Sequence, residues 1–339
     1  MPVESILTSG DLYFIRETDV LSDELSPYTK IGIVKLDRGS SKRKKEHQTG
    51  NPRNLVLAHV VTTDCVGSAE KYLHWRYVGL GVRGEWFKFN NQQLGEAVSY
   101  AESIRDNFAS RIDSLRKGSE LRDVESDDSI QAPSDEARHW LHEYHVAHLI
   151  SSDADKARTL FNDAIKAAAK EEKDVSAAGS VKVEGTSTFD KKSFVAAEEK
   201  ILAECSPIRI KPSWSVTRAG DAARADSRTS AAAVYIDALI EAVKKLKSGI
   251  MGFDEVSQID FAVLAATNFY GKEKDLSRLH LQAICGSSRA VEGICKWERK
   301  AEPVFDIEIL KTQYPEIYRK FSVASDRITV NRDLSGQAD

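Results

Sequence analysis

The stretch that most constrains this chain is its most basic one, Ser41-Lys-Arg-Lys-Lys-Glu-His-Gln-Thr-Gly-Asn-Pro-Arg53. Between Tyr28 and Arg53 stand eight lysines and arginines against two acids, six surplus positive charges on a chain whose net charge is −4. Such a run is either a solvated helix face or the footprint of a phosphate-bearing partner. Arg43 and His47 are four apart, so a helix puts them on one face. Thr49-Gly50-Asn51-Pro52 then reads as a stop and turn.

β-rich runs flank this segment. Residues 12–17 read as a first strand, and the alternating, β-branched run 28–35 reads as a second, with Gly32 inside it. A glycine within a strand marks a bulge or a close approach by another group. The short connection makes the two an antiparallel hairpin. Ser40 or Ser41 is a candidate N-cap for the basic helix. A third strand is expected over 54–63, a helix over 68–77, a short extended return over 83–89 and a longer helix over 92–117.

The acidic, polar segment 118–134 changes character and reads as an interdomain linker. Beyond it the periodicity is helical: about 135–150, 153–172, 191–205, 226–248, 254–270, 274–286, 288–300 and 304–321. Ser152, Asp190 and Asp226 are candidate N-caps and Gly249 a candidate C-cap. Residues 175–189 read as a loop or small hairpin, and 331–339 as a frayed, disordered tail. A chain of 339 residues can hold two domains. No apolar run has the length of a membrane span, so no membrane partner is expected. No secretory signal is visible, and Cys65, Cys205, Cys285 and Cys295 are scattered without a CxxC pair. These features suit reduced thiols and a cytoplasmic location.

The motifs occur in a telling order: Leu12-Tyr13-Phe14, Lys30-Ile31-Gly32, Arg43 through Gln48-Thr49-Gly50-Asn51-Pro52, Ala69-Glu70-Lys71-Tyr72-Leu73-His74, and Arg83-Gly84-Glu85-Trp86-Phe87. Over residues 10–90 or so this resembles the GIY-YIG nuclease superfamily, in particular its phage-type and meiotically up-regulated-gene branch, in which Lys-Ile-Gly replaces Tyr-Ile-Gly. The resemblance implies an α+β fold: a small three-stranded antiparallel sheet flanked by helices, followed here by a mainly α-helical domain. Residues 1–117 would be the nuclease or DNA-binding domain with its trailing helix, and 135–330 a helical domain that could join a protein partner or a second copy of the chain.

The same resemblance implies metal-dependent DNA cleavage or nicking, in DNA processing or phage defence. Glu70 takes the position of the ligand to Mg²⁺ or Mn²⁺, and Arg43 that of the catalytic arginine. Tyr13 would orient or deprotonate water, and Lys30 or His47 would handle a proton. Lys42, Lys44, Lys45 and Arg53 would contact the DNA backbone. A single carboxylate suffices for a metal that keeps several waters, and a guanidinium fork suits two phosphate oxygens. Two departures stand out: Lys30 replaces the second motif tyrosine, with Tyr28 two residues earlier, and Asp11 stands where the first motif has glycine. A non-catalytic DNA-binding module and a protein-interaction scaffold are the other readings. Glu85 reads as structural, at the edge of the domain.

Two further features lie outside the resemblance. His139, His142, His145 and His148 recur every three residues, so adjacent pairs on a helix could chelate a metal, although the four fan over half its circumference. His148 falls on the expected apolar face with Leu141 and Tyr144. Trp214, Arg218, Arg224 and Arg228 could form a second nucleic-acid contact.

Overall fold

The strand Gly10–Thr18 (β1) is buried along nearly its whole length because neighbours cover both of its faces. In the computed structural model, which describes residues 7–331 except 20, 23, 37, 50, 52, 172 and 179, it is an inner strand of a five-stranded antiparallel sheet. Leu25–Lys35 (β2) pairs along one edge of it; Ser40–Gln48 (α1) follows, and Asn54–Thr63 (β3) pairs along the other edge. Val66–Arg76 (α2) leads to Gly81–Arg83 (β4) and Trp86–Lys88 (β5), giving the order β3-β1-β2-β5-β4. Three strands were expected. The extended return splits in two because Gly84, at φ 55°, reverses the chain within it.

The alternation of β1 sorts its side chains. Leu12 and Phe14, with Ile31, meet α2 and the next helix, Asn91–Ala109 (α3). Tyr13 and Ile15, with Val34 and Leu55, form a smaller cluster on the opposite face, where α1 lies. A capping box between Asn90 and Gln93 starts α3. The expected single helix over 92–117 ends at Ala109. The Ser110 hydroxyl bonds back to the Asn107 carbonyl, Arg111 leaves helical geometry, and Ile112–Glu120 (α4) starts afresh.

The expected linker is a correction. Within 118–134, Asp127–Gln131 (β6) pairs in parallel with Ser288–Val291 (β9). Its side chains are polar and largely exposed, so its composition resembles a loop, and backbone pairing with hydrogen bonds from Ser129 and Gln131 to Ser288 holds it. The chain then forms Asp135–Lys170 (α5), Ser180–Phe189 (β7), Lys191–Ala197 (α6), Glu199–Glu204 (α7), Ile208–Val216 (β8), Asp221–Thr229 (α8), Ala231–Lys247 (α9) and Phe253–Cys285 (α10). After β9 come Cys295–Pro303 (β10), Ile307–Gln313 (α11), Pro315–Lys320 (α12) and Ser322–Asn331 (β11). A four-stranded sheet runs β6-β9-β10-β8, and β7 pairs with β11.

Several expected boundaries differ. α5 runs unbroken through Ser151 and Ser152, and α10 through Gly271, because each packs against the other along its length. Ser230, not Asp226, caps α9, whereas Asp190 caps α6 and Gly249, at φ 73°, follows α9 as expected. The helix expected at 288–300 is a β-hairpin: Cys295, Trp297 and Arg299 point inward, Lys296 and Lys300 outward, a period of two. Residues 175–189 contain β7 rather than only a loop. The tail beyond residue 331 lies outside the described residues. Leu276 and Leu279 of α10 sit in the same core as β1, α2 and α3, so the C-terminal half completes the core of the first sheet. No helix among the described residues is long and apolar enough to cross a membrane.

α10 also carries a pH-sensitive contact. His280 is buried and stacks on Trp140 with ring centroids 3.8 Å apart, while its Nε2 has no partner. Burial, then Arg111 and His139, lowers its pKa from 6.5 to about 4. Below pH 6.5 the unfolded chain takes up this proton while the folded chain refuses it until about 4. Stability therefore falls as pH drops through that window. At about pH 5 the loss from this group is on the order of 2 kcal/mol. Urea melts of His280→Phe should show a correspondingly smaller acid loss; an unchanged loss would contradict this assignment.

Candidate active site

The register of β1 on β2 sets Tyr13 opposite Gly32 and Ile15 opposite Lys30, so Tyr13, Gly32 and Lys30 share the face under α1. The absent side chain of Gly32 is what makes room for the Tyr13 ring. A Cβ there would stand 2.5 Å from the Tyr13 hydroxyl oxygen and 2.7 Å from Cζ. The hydroxyl lies 3.1 Å from His47 Nε2 on α1. Arg43, one turn earlier, brings its guanidinium beside the same hydroxyl and bonds Glu46 at 3.0 Å. Glu46 also takes Arg38 at 2.8 Å, so one carboxylate ties down two arginines. Tyr13, Arg43 and His47 thus meet as the motif order implies.

Their electrostatics bear on the roles expected of Tyr13 and His47. Burial raises the Tyr13 pKa, and the Arg43 guanidinium only partly opposes it. With Tyr13 1% exposed, a phenolate base is disfavoured, and the hydroxyl stays protonated in contact with His47. Burial, then the charges of Lys30 and Arg43, lowers the His47 pKa to about 4, so this ring is neutral near neutral pH. In the tautomer that donates Nε2–H to the Tyr13 oxygen, Nδ1 is the ring's acceptor for a proton.

Lys30 is engaged by Glu85, 2.6 Å from Nζ to Oε2. Burial pushes the Glu85 carboxyl up, but Lys30, by charge and hydrogen bond, overrides it and leaves the pKa lowered. The charge of Glu85 is felt at Tyr13, His47 and His74 alike. Glu85 thus lies within electrostatic reach of all three groups while pairing with Lys30. Its one sequence signal was its place directly after Gly84 at the turn, which swings it back over β2.

Glu70 comes from α2, whose apolar residues pack on the other face of the sheet, while Val66 at its start lines the same groove as Arg43. Glu70 is 3% exposed, and its Oε2 accepts from Lys71 Nζ at 2.6 Å. Its charge reaches both Tyr13 and His74. His74 Nε2 lies 3.2 Å from the Ile31 carbonyl oxygen, between the two carboxylate–lysine pairs. α10 fixes α2 here: Tyr72 donates to Glu273 and packs against Phe269, and Trp75 stacks on Phe269. Lys272, with a pKa lowered by burial, adds a further charge near Glu70 and Lys71. The sequence does not signal this contribution from α10, which arises only from tertiary packing.

Among the described residues, no group of three or more His, Cys, Asp and Glu side chains is arranged to hold a metal. A divalent ion at Glu70 would rest on one carboxylate, with water and phosphate oxygens completing its shell, an arrangement Mg²⁺ accepts. The donor fits such an ion once the Lys71 ammonium leaves Oε2. The four-histidine pattern separates: His142 pairs with Asp226 at 3.0 Å, His145 Nε2 lies 2.8 Å from the Thr217 carbonyl oxygen, and His139 packs on Trp140. His145, not His148, is the buried member, because α5 turns that face towards the segment after β8.

A groove of about 780 Å³ runs beside Arg43, lined by Lys35, Arg38 and Lys42 with Ile33, Val34 and Val66. Lys42 and Lys45 are exposed on α1, Lys44 is half-buried, and Arg53 lies 4.0 Å from Glu17. Trp214 is instead part of a core cluster, with Arg278 over its ring, while Arg218, Arg224 and Arg228 are exposed. All four cysteines are free and buried. Searches of protein-family models, of curated proteins and of solved structures find no match to this chain.

Proposed function

We propose that this chain is a metal-dependent DNA endonuclease or nickase of GIY-YIG type. The observation that carries the reading is the Tyr13–His47 contact at 3.1 Å, with Arg43 beside it at the foot of a cationic groove. The backbone of a bound strand lies along Lys35, Arg38 and Lys42, and its phosphate meets Arg43. The guanidinium bonds two non-bridging oxygens and stabilises the charge that grows on them. Neutral His47, positioned by Tyr13, takes the proton of the attacking water. The Lys30–Glu85 pair, neutral overall, sets an ammonium and a carboxylate side by side at the edge of this centre. Mg²⁺ or Mn²⁺ on Glu70 would supply Lewis acidity and help the leaving oxygen.

A second reading, a DNA-binding module that keeps the fold without the chemistry, is favoured by one contact: the Lys71 ammonium already occupies the Glu70 oxygen. Nicking of supercoiled plasmid in Mg²⁺ and Mn²⁺, measured beside DNA affinity at several salt concentrations, separates the two. Cleavage supports the nuclease; tight, salt-sensitive binding without cleavage supports the module; the absence of both cleavage and binding overturns both readings. Each phosphate contact contributes about −0.9 to the log–log salt slope on duplex DNA. Replacing Lys42 and Lys45 together with alanine should therefore flatten the slope by about two. An unchanged slope would place the DNA elsewhere.

A further inference from the structure

α2, α3, α5 and α10 leave between them a pocket of about 260 Å³. Part of its lining is apolar and buried: Ile104 and Phe108 of α3 and Leu276 of α10. The rings of Tyr72, Tyr100 and Trp140 stand around it. Among its described lining residues Glu273 is the one acid and Arg111 the one base. One Glu273 oxygen accepts the Tyr72 hydroxyl, its single hydrogen bond among the described residues. Burial holds the Glu273 pKa above the usual carboxylate range, and the Tyr72 bond opposes this only in part. A carboxylate set among aromatic rings without an ion-pair partner leaves its second oxygen for what enters the pocket. Arg111 sits at the mouth. It bonds the exposed Asn107, Nε to the carbonyl oxygen at 3.3 Å and Nη2 to the side-chain oxygen, which leaves Nη1 outside both bonds. Its guanidinium lies over the Phe108 and Trp140 rings, 5.4 and 5.8 Å from their centroids.

We propose that this pocket binds a guanine nucleotide, with the edge of the base on Glu273 and the phosphate on Arg111. Aromatic walls with a few convergent polar groups suit a flat, unsaturated ring. The volume is just under the usual range for small-ligand pockets, about 300–1,000 Å³. It therefore suits a base, with the phosphate outside at the mouth. A carboxylate accepts and does not donate, so it selects an edge made of donors. Guanine offers two adjacent ones, N1–H and the N2 amine. Adenine and cytosine would turn a ring-nitrogen lone pair towards the carboxylate, and uracil and thymine flank their one N–H with carbonyls. A carboxylate has about four acceptor sites, so the Tyr72 hydroxyl leaves room for both guanine donors. The guanidinium of Arg111 matches phosphate oxygens. This pocket shares no lining residue with the groove beside Arg43. Tyr72 and Glu273 join α2 to α10, so an occupant would bridge the two halves of the chain and raise the melting temperature.

The test titrates the full-length protein by calorimetry with GMP, AMP, guanosine and inorganic phosphate at one salt concentration. GMP should saturate a single site. AMP should bind at least about ten-fold more weakly, the discrimination expected of a paired base edge. Guanosine should bind more weakly than GMP, and phosphate alone more weakly still. Glu273→Gln keeps an acceptor for Tyr72 but can turn an amide N–H towards the base, and it should cost GMP about ten-fold. Arg111→Met should bring GMP down to the affinity of guanosine, with circular dichroism confirming that both variants fold. No GMP binding at about 1 mM, or AMP binding as well as GMP, would overturn the site, and that comparison needs no variant. Unchanged GMP affinity in folded Glu273→Gln would place the nucleotide elsewhere, such as the groove beside Arg43, and would overturn it too. Guanosine matching GMP would overturn the role of Arg111. Nicking plays no part in these readouts, so their outcome is independent of the nuclease reading.

Discussion

Glu70→Gln should bind DNA as the parent does and nick supercoiled plasmid at least about a thousand-fold more slowly, a loss of roughly 4 kcal/mol of transition-state stabilisation. The amide keeps the shape of the carboxylate and removes only its charge. The fold should tolerate this, because Lys71 is partly exposed and can turn its ammonium to water when its partner is neutralised. Arg43→Ala should lose cleavage to a similar degree for a different reason, the loss of charge-matched hydrogen bonds to phosphate; Arg38 still holds Glu46 in that variant. Lys71→Met is the informative partner to both. If Lys71 competes with the metal for Glu70, this change lowers the Mg²⁺ concentration needed for half-maximal nicking and leaves the maximal rate in place. Glu70→Gln that nicks at the parental rate would remove Glu70 from the chemistry. A parent that never nicks, in a preparation with tight and salt-sensitive binding, would leave the DNA-binding module.

The unevenness of what could be read in the sequence follows from which forces shape each part. The strand Asn54–Thr63 was legible because β-branched residues carry their own conformational preference. That Arg43 and His47 share a face was legible because helical spacing is a local rule; Tyr13 joined them in the sequence only through the resemblance, since the strand register that seats it is a tertiary matter. The unbroken courses of α5 and α10 were not, since serines and a glycine weaken local propensity and only the packing of one long helix on the other restores it. β6 was hidden for the opposite reason: its side chains are polar and largely exposed, and backbone pairing with polar contacts to a segment over 150 residues later defines it. Glu85 and Lys272 entered the site through a positive-φ turn and through α10 packing on α2. Neither leaves a periodic trace.

The tightest tolerance in the site lies at Gly32, and Gly32→Ala should be damaging out of proportion to one methyl group. The added carbon would fall within 2.7 Å of two atoms of the Tyr13 head, on a ring that is buried and cannot step aside into solvent. Either the ring rotates away from His47, or β1 and β2 move apart at their centre. Overpacking of this kind costs about 1–3 kcal/mol, readable as a fall in the urea midpoint. Cleavage should drop further, by about a hundred-fold, since a general base displaced by a fraction of its contact distance loses much of its advantage. The double variant Gly32→Ala with Tyr13→Val separates strain from other effects. If the clash is the cause, removing the ring returns the space, and the two changes couple by more than about 1 kcal/mol. Stability is then partly recovered while cleavage stays low, because His47 has lost its positioning hydroxyl. Simple additivity would instead mean that the close approach of Tyr13 to Gly32 is not what the glycine is there to permit.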